Sequence, residues 1–120
     1  MKKTFFLLAL CASFFWAGCS SGEQYGAGVD RNAPMVKAKD IFFWPELMGK
    51  KVTLEGSIFT QCQSNGCWFV LQDDTGQVYV DLARSKFTLP ERLGKKAQAS
   101  GVVGNINGNH LLFAEGVAIK

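Results

Sequence analysis

A single histidine, His110, is present in 120 residues, with three prolines and two tyrosines. One histidine cannot build a zinc site without three other Cys-type ligands, and no Ser-His-Asp set can be assembled around it. Paired carboxylates placed for acid–base work are absent too: Asp73 and Asp74 are adjacent in Asp73-Asp74-Thr75-Gly76, a turn sequence. Glycines 101, 104 and 108 follow strand and turn needs, not a phosphate-binding pattern. These absences predict a non-enzyme with no cofactor. Charge of one sign is scarce as well, with 13 Lys and Arg against 10 Asp and Glu. That balance leaves no electrostatic footprint for nucleic acid. Internal repeats and low-complexity tracts are lacking. So is any apolar run of the roughly 20 residues that a membrane-spanning helix needs.

What is present begins at the N-terminus. Lys2 and Lys3 precede an uncharged run from Thr4 to Ala17, and Trp16-Ala17-Gly18-Cys19 closes it before polar Ser20-Ser21-Gly22. A basic start, a short apolar core and small residues ahead of a cut site make a secretory signal peptide. With a cysteine directly after the small residues, this segment resembles a bacterial lipoprotein signal, although Trp16 stands where leucine is usual. The resemblance implies cleavage after Gly18, lipid on Cys19 and attachment to a membrane. Ser20, rather than aspartate, follows the cysteine, which in Gram-negative lipoproteins points to the periplasmic face of the outer membrane. Removing residues 1–18 takes away Lys2 and Lys3 and no acid, so a formal charge of +3 becomes about +1. It also takes away Cys11, and lipid occupies Cys19. Cys62 and Cys67 remain as two thiols in an oxidising compartment.

Residues 19–35 are rich in Gly and Ser with scattered charges and no apolar periodicity, and read as a flexible tether. A domain follows over 36–120. Asp40 is placed to cap a short helix or turn, whose aromatics Phe42, Phe43 and Trp44 are expected to pack beneath a sheet. Lys51–Phe59 then alternates, with Val52, Leu54, Gly56 and Ile58 on one face. Cys67–Gln72 and Gln77–Leu82 read as strands two and three around the 73–76 turn. The irregular stretch Ala83–Gly94 holds Pro90, with a turn of helix expected at Pro90–Leu93. Lys95–Val103 is a fourth strand. His110–Ala114 and Val117–Ile119 form a fifth, with a bulge marked by Gly116. Three strands, an irregular connection and two more strands predict an all-β, five-stranded Greek-key barrel like the OB-fold, with an SH3-like barrel as runner-up.

Val52-Thr53-Leu54-Glu55-Gly56-Ser57-Ile58 followed by Gly101-Val102-Val103 resembles the paired strands of periplasmic OB-fold proteins. Cys62-Gln63-Ser64-Asn65-Gly66-Cys67-Trp68, then Phe87-Thr88-Leu89-Pro90, is more specific. It resembles an uncharacterised bacterial family of exported small OB-like domains carrying a Cys-x-x-x-Gly-Cys-Trp motif. This resemblance implies fold and compartment rather than activity. A looser similarity to membrane-tethered haem chaperones ends at the C-terminus, where Val117-Ala118-Ile119-Lys120 lacks their haem-attaching histidine and tyrosine.

Three roles are open for Cys62 and Cys67. Asn65-Gly66 is a strong turn pair, so the cysteines can face each other and close a structural disulfide. A redox pair is the second role, though catalytic dithiols usually begin a helix as Cys-x-x-Cys. Soft-metal binding by two thiolates, with Met35 or Met48, is the third. Compartment and turn chemistry favour the disulfide. For ligand binding, OB-folds use the face of strands two and three. That face carries Trp68 or Phe69, whichever alternation turns outward, and Tyr79. Trp68 and Tyr79 are therefore the expected contacts for an envelope protein, peptide or glycan. His110 is expected simply to be exposed.

Overall fold

The structure, a computed structural model, describes residues 22–120. The signal peptide, Cys19 and the start of the expected tether lie outside the described residues. Among these, no helix is long and apolar enough to cross a membrane.

Among the described residues, seven strands and one α-helix follow in order: β1 (Glu23–Gly26), β2 (Met35–Val36), α1 (Ala38–Phe43), β3 (Lys51–Gln61), β4 (Trp68–Gln72), β5 (Gln77–Asp81), β6 (Lys96–Ile106) and β7 (Asn109–Ile119). Short 3-10 turns occupy Pro45–Leu47 and Ala83–Ser85. β3 pairs antiparallel with β4 and β6, β4 with β5, and β6 with β7. A short parallel pairing of Val80 and Asp81 with Leu112 and Phe113 joins β5 to β7. The ring β3–β4–β5–β7–β6 therefore closes on itself, which is the OB-fold topology.

Alternation fills its interior. Val52, Leu54 and Ile58 of β3 are buried with Phe69 and Leu71 of β4, Val78 and Val80 of β5, and Leu112 and Val117 of β7. Phe69 and Leu71 inside put Trp68 and Val70 outside, which settles the choice that the sequence left open. Two irregularities curve the barrel. In β3 the register shifts around Phe59. In β7 it shifts at Glu115, one residue before the glycine expected to mark the bulge, with Gly116 paired to Ser100.

Three expectations need correction. Glu23–Gly26, read as tether, pair with Gly116–Ile119. That end of β7 extends beyond its pairing with β5, and β1 covers the edge left open. Met35–Val36 does the same for the first residues of β3, ahead of its pairing with β4. Between them the Asp30 backbone N–H donates to Ser100 Oγ at 2.9 Å, and Ser100 Oγ lies 2.7 Å from Thr53 Oγ1, a buried hydroxyl pair. Segment 23–36 thus belongs to the barrel. Its composition hid this because edge pairing uses backbone groups and needs no apolar period.

The aromatics of α1 are the second correction. Ala38 and Ile41 are the buried residues, while Phe42, Phe43 and Trp44 are 44%, 76% and 55% exposed. Six helical residues can turn only one narrow stripe inward, and the 38/41 spacing takes it. Third, no helix forms at Pro90–Leu93; the helical turn sits earlier, at Ala83–Ser85.

Candidate functional site

Trp68 and Tyr79 stand on the outer face of neighbouring strands, offset diagonally, because Trp68 pairs with Asp81 and Tyr79 with Val70. Their rings stack at 5.5 Å with an interplanar angle of 24°. Diagonal cross-strand neighbours lie about 7–8 Å apart, a span that large aromatics bridge. Tyr79 is 40% exposed and Trp68 half-buried, so the pair forms a platform rather than core. Burial first, then the Asp81 charge, pushes the Tyr79 phenol above its ordinary range, so it stays a neutral donor.

Two loops border the platform. The β6–β7 turn brings Ile106, Asn107 and Asn109 against Tyr79, Asp81 and His110 around a groove of about 470 Å³. Among the described residues, no lysine or arginine lines it. Opposite, Trp68 continues directly from the β3–β4 loop that holds the two cysteines. His110 is not merely exposed: its Nδ1 lies 3.0 Å from the Ile41 carbonyl, and its ring stacks on Phe42. A carbonyl only accepts, so Nδ1 carries the hydrogen. His110 thus docks α1 beside the groove.

α1 is held from its other end by Asp73. Asp73 Oδ1 accepts from the Thr75 N–H, the Thr75 hydroxyl and the Gly76 N–H at 2.7, 2.6 and 3.1 Å. Asp73 Oδ2 accepts from the Ala38 N–H at 2.8 Å. Asp40, the residue read as the cap, instead accepts from the Lys37 N–H. Burial tends to raise the Asp73 carboxyl, but the bonds from Thr75, Ala38 and Gly76 outweigh it and hold it below the ordinary range.

Cys62 and Cys67 close the β3–β4 loop. The Cys62 N–H donates to the Trp68 carbonyl, and the Gly66 N–H to the Cys62 carbonyl. Gly66 sits at φ +63°, and any Cβ there would collide with the Leu89 carbonyl. That explains the glycine of the motif. The sulphurs are 3.5 Å apart, and the structure carries both cysteines as thiols, with the Cys67 thiol hydrogen-bonded to Cys62 Sγ. Hydrogen bonds from the Ser64 hydroxyl, then from the Asn65 and Cys67 N–H groups, lower the Cys62 thiol to about 6. The Cys67 thiol is raised, first by its bond to Cys62 and then by burial. Among the described residues no group of three His, Cys, Asp or Glu is placed to hold a metal. Met35 pairs with Thr53, far up β3 from Cys62, and neither Met35 nor Met48 lines the groove beside the thiols.

No protein-family profile and no curated protein matches the chain. Solved structures do. The hypothetical protein YgiW from E. coli is 14% identical, with 73% of this chain aligned over 91% of that one at a TM-score of 0.57. A putative aspartyl-tRNA synthetase from Leishmania major Friedlin is 11% identical, with 82% of this chain aligned at a TM-score of 0.59. Asparaginyl-tRNA synthetase from Pyrococcus horikoshii is 21% identical over 70% of this chain, at a TM-score of 0.52. The chain spans 23% and 22% of the two synthetases. The domain is an OB-fold. At these identities the likeness extends to the fold and no further.

Proposed function

We propose that this chain is a binding module, lipid-anchored through Cys19 at the periplasmic face of the outer membrane, whose Trp68–Tyr79 face holds a neutral glycan without acting on it. The reading is carried by the Trp68–Tyr79 stack, set on the outer face of the second and third barrel strands between two loops. OB-folds take oligonucleotides and oligosaccharides on this face. A polyanion finds no cation in the groove beside Tyr79, whereas Asn107, Asn109 and Asp81 offer the hydrogen bonds that sugar hydroxyls require. A neutral, hydroxyl-rich chain resting on aromatic rings satisfies both features. The lipoprotein signal supports the compartment, and the near-neutral charge after its removal agrees with a ligand other than nucleic acid.

Calorimetric titration with neutral N-acetylglucosamine oligomers, and separately with an unstructured neutral peptide and single-stranded DNA, tests this. The glycan binds the wild type, and Tyr79→Ala loses at least tenfold in affinity while its circular dichroism is unchanged. Binding of the peptide or the DNA alone, or glycan binding indifferent to Tyr79→Ala, overturns the reading.

A further inference from the structure

We propose that Cys62 and Cys67 form a thiol–disulfide exchange site for a protein client, with Cys62 the attacking nucleophile and Cys67 the resolving thiol. The geometry divides these roles. Cys62 Sγ lies 3.3 Å from Ser64 Oγ, and in its protonated form the Cys62 thiol donates to Asn65 Oδ1 at 3.1 Å. Cys62 lines the neighbouring groove and Cys67 does not, and the Cys67 thiol points its hydrogen at Cys62 Sγ. A thiolate at Cys62 is therefore met by the Ser64 hydroxyl, the Cys67 thiol and nearby backbone N–H groups. Catalytic dithiols usually obtain this support from a helix N-terminus; here a six-residue loop supplies it. Beside Cys62 opens a groove of about 260 Å³, lined by Gln63, Asn65, Leu89, Glu91 and Leu93. Apolar and amide side chains side by side suit an extended polypeptide strand carrying the client cysteine.

The exchange balances without any further reagent. Cys62 thiolate attacks one sulphur of the client disulfide, the client S–S bond breaks, and its electron pair leaves on the second client sulphur, which takes a proton. The mixed disulfide is then attacked by Cys67 at Cys62 Sγ. Cys67 gives up its proton to the departing client thiolate. The client disulfide becomes a dithiol and the Cys62–Cys67 pair becomes a disulfide. With a client dithiol and the oxidised pair, the same steps run in reverse. Stabilising the thiolate stabilises the reduced pair, so its disulfide is readily reduced, unlike a structural one.

Alkylation by iodoacetamide of the reduced full chain in detergent, with Cys62 and Cys67 read separately by peptide mass, tests the assignment. Cys62 modification rises with a midpoint near pH 6. At pH 5 it outpaces Cys67 by more than tenfold, after allowing for the weaker nucleophilicity of an acidic thiolate. Millimolar reduced glutathione reopens the oxidised pair. With oxidised glutathione, Cys67→Ser traps one glutathione on Cys62, whereas the wild type releases it and closes the internal disulfide. Faster labelling of Cys67, equal midpoints for the two thiols, or a pair that stays oxidised in millimolar glutathione overturns the proposal. The alkylation profile needs no variant, so a folding defect in Cys67→Ser leaves the test intact.

Discussion

Asp73 joins the β4–β5 turn to the start of α1, and Asp73→Ala tests that link. The substitution removes four hydrogen bonds at once, three within the turn and one to the Ala38 N–H. The turn donors regain water, but Ala38 is only 2% exposed, so its N–H loses its partner in a buried place. Leaving such a donor unpaired costs about 1–3 kcal/mol, and loss of the charged turn acceptor adds about 1 kcal/mol. The sum, about 2–4 kcal/mol, lowers Tm by about 10–25 °C in a domain of this size. The pH dependence has a fixed sign. The carboxyl lies below its unfolded value, so its contribution is full above that value, near pH 4, and fades as pH falls through the folded one. Thermal melts followed by far-UV circular dichroism at pH 7 and at pH 2.5 should show a large gap between wild type and Asp73→Ala that narrows in acid. A Tm shift below 3 °C at pH 7, or a gap independent of pH, would refute the role given to Asp73.

Gly66→Ala places a Cβ at φ +63° against the Leu89 carbonyl. The left-handed backbone alone costs about 1–2 kcal/mol, so chemical denaturation should show at least that loss, and the Cys62 alkylation midpoint should move up. Thr53→Val breaks the buried hydroxyl pair with Ser100 that holds the Asp30 backbone. It should cost about 1–2 kcal/mol and speed amide exchange at Asp30. Phe43→Ser removes a side chain that is 76% exposed, so stability should stay within about 0.5 kcal/mol.

The barrel was legible because its signals are period-two alternation and turn chemistry. Val52, Leu54 and Ile58 face the core as their spacing requires, and Asp73-Asp74-Thr75-Gly76 forms the turn that its residues specify. Segment 23–36 was illegible for the opposite reason. Glu23–Gly26 and Met35–Val36 join through backbone bonds to strand edges that no local pattern announces. The exposed ring faces of Phe42, Phe43 and Trp44 were misread because hydrophobicity reports a preference for burial, not the available space. At the site, Trp68 and Tyr79 were found by their place in the expected fold. Asn107 and Asn109 were not, since only closure of β7 against β5 brings the β6–β7 turn to Tyr79. Ser64 does lie inside the cysteine motif, and its hydroxyl between two thiols was the readable sign that the loop can support a thiolate at Cys62.

The binding face is tested most directly by the indole N–H resonance of Trp68 during titration of the 15N-labelled protein with neutral N-acetylglucosamine oligomers. The account predicts a saturable shift of that resonance, accompanied by the Tyr79, Asn107 and Asn109 amides and absent in Tyr79→Ala. Shifts confined to another face of the barrel, or none at millimolar glycan, would contradict it.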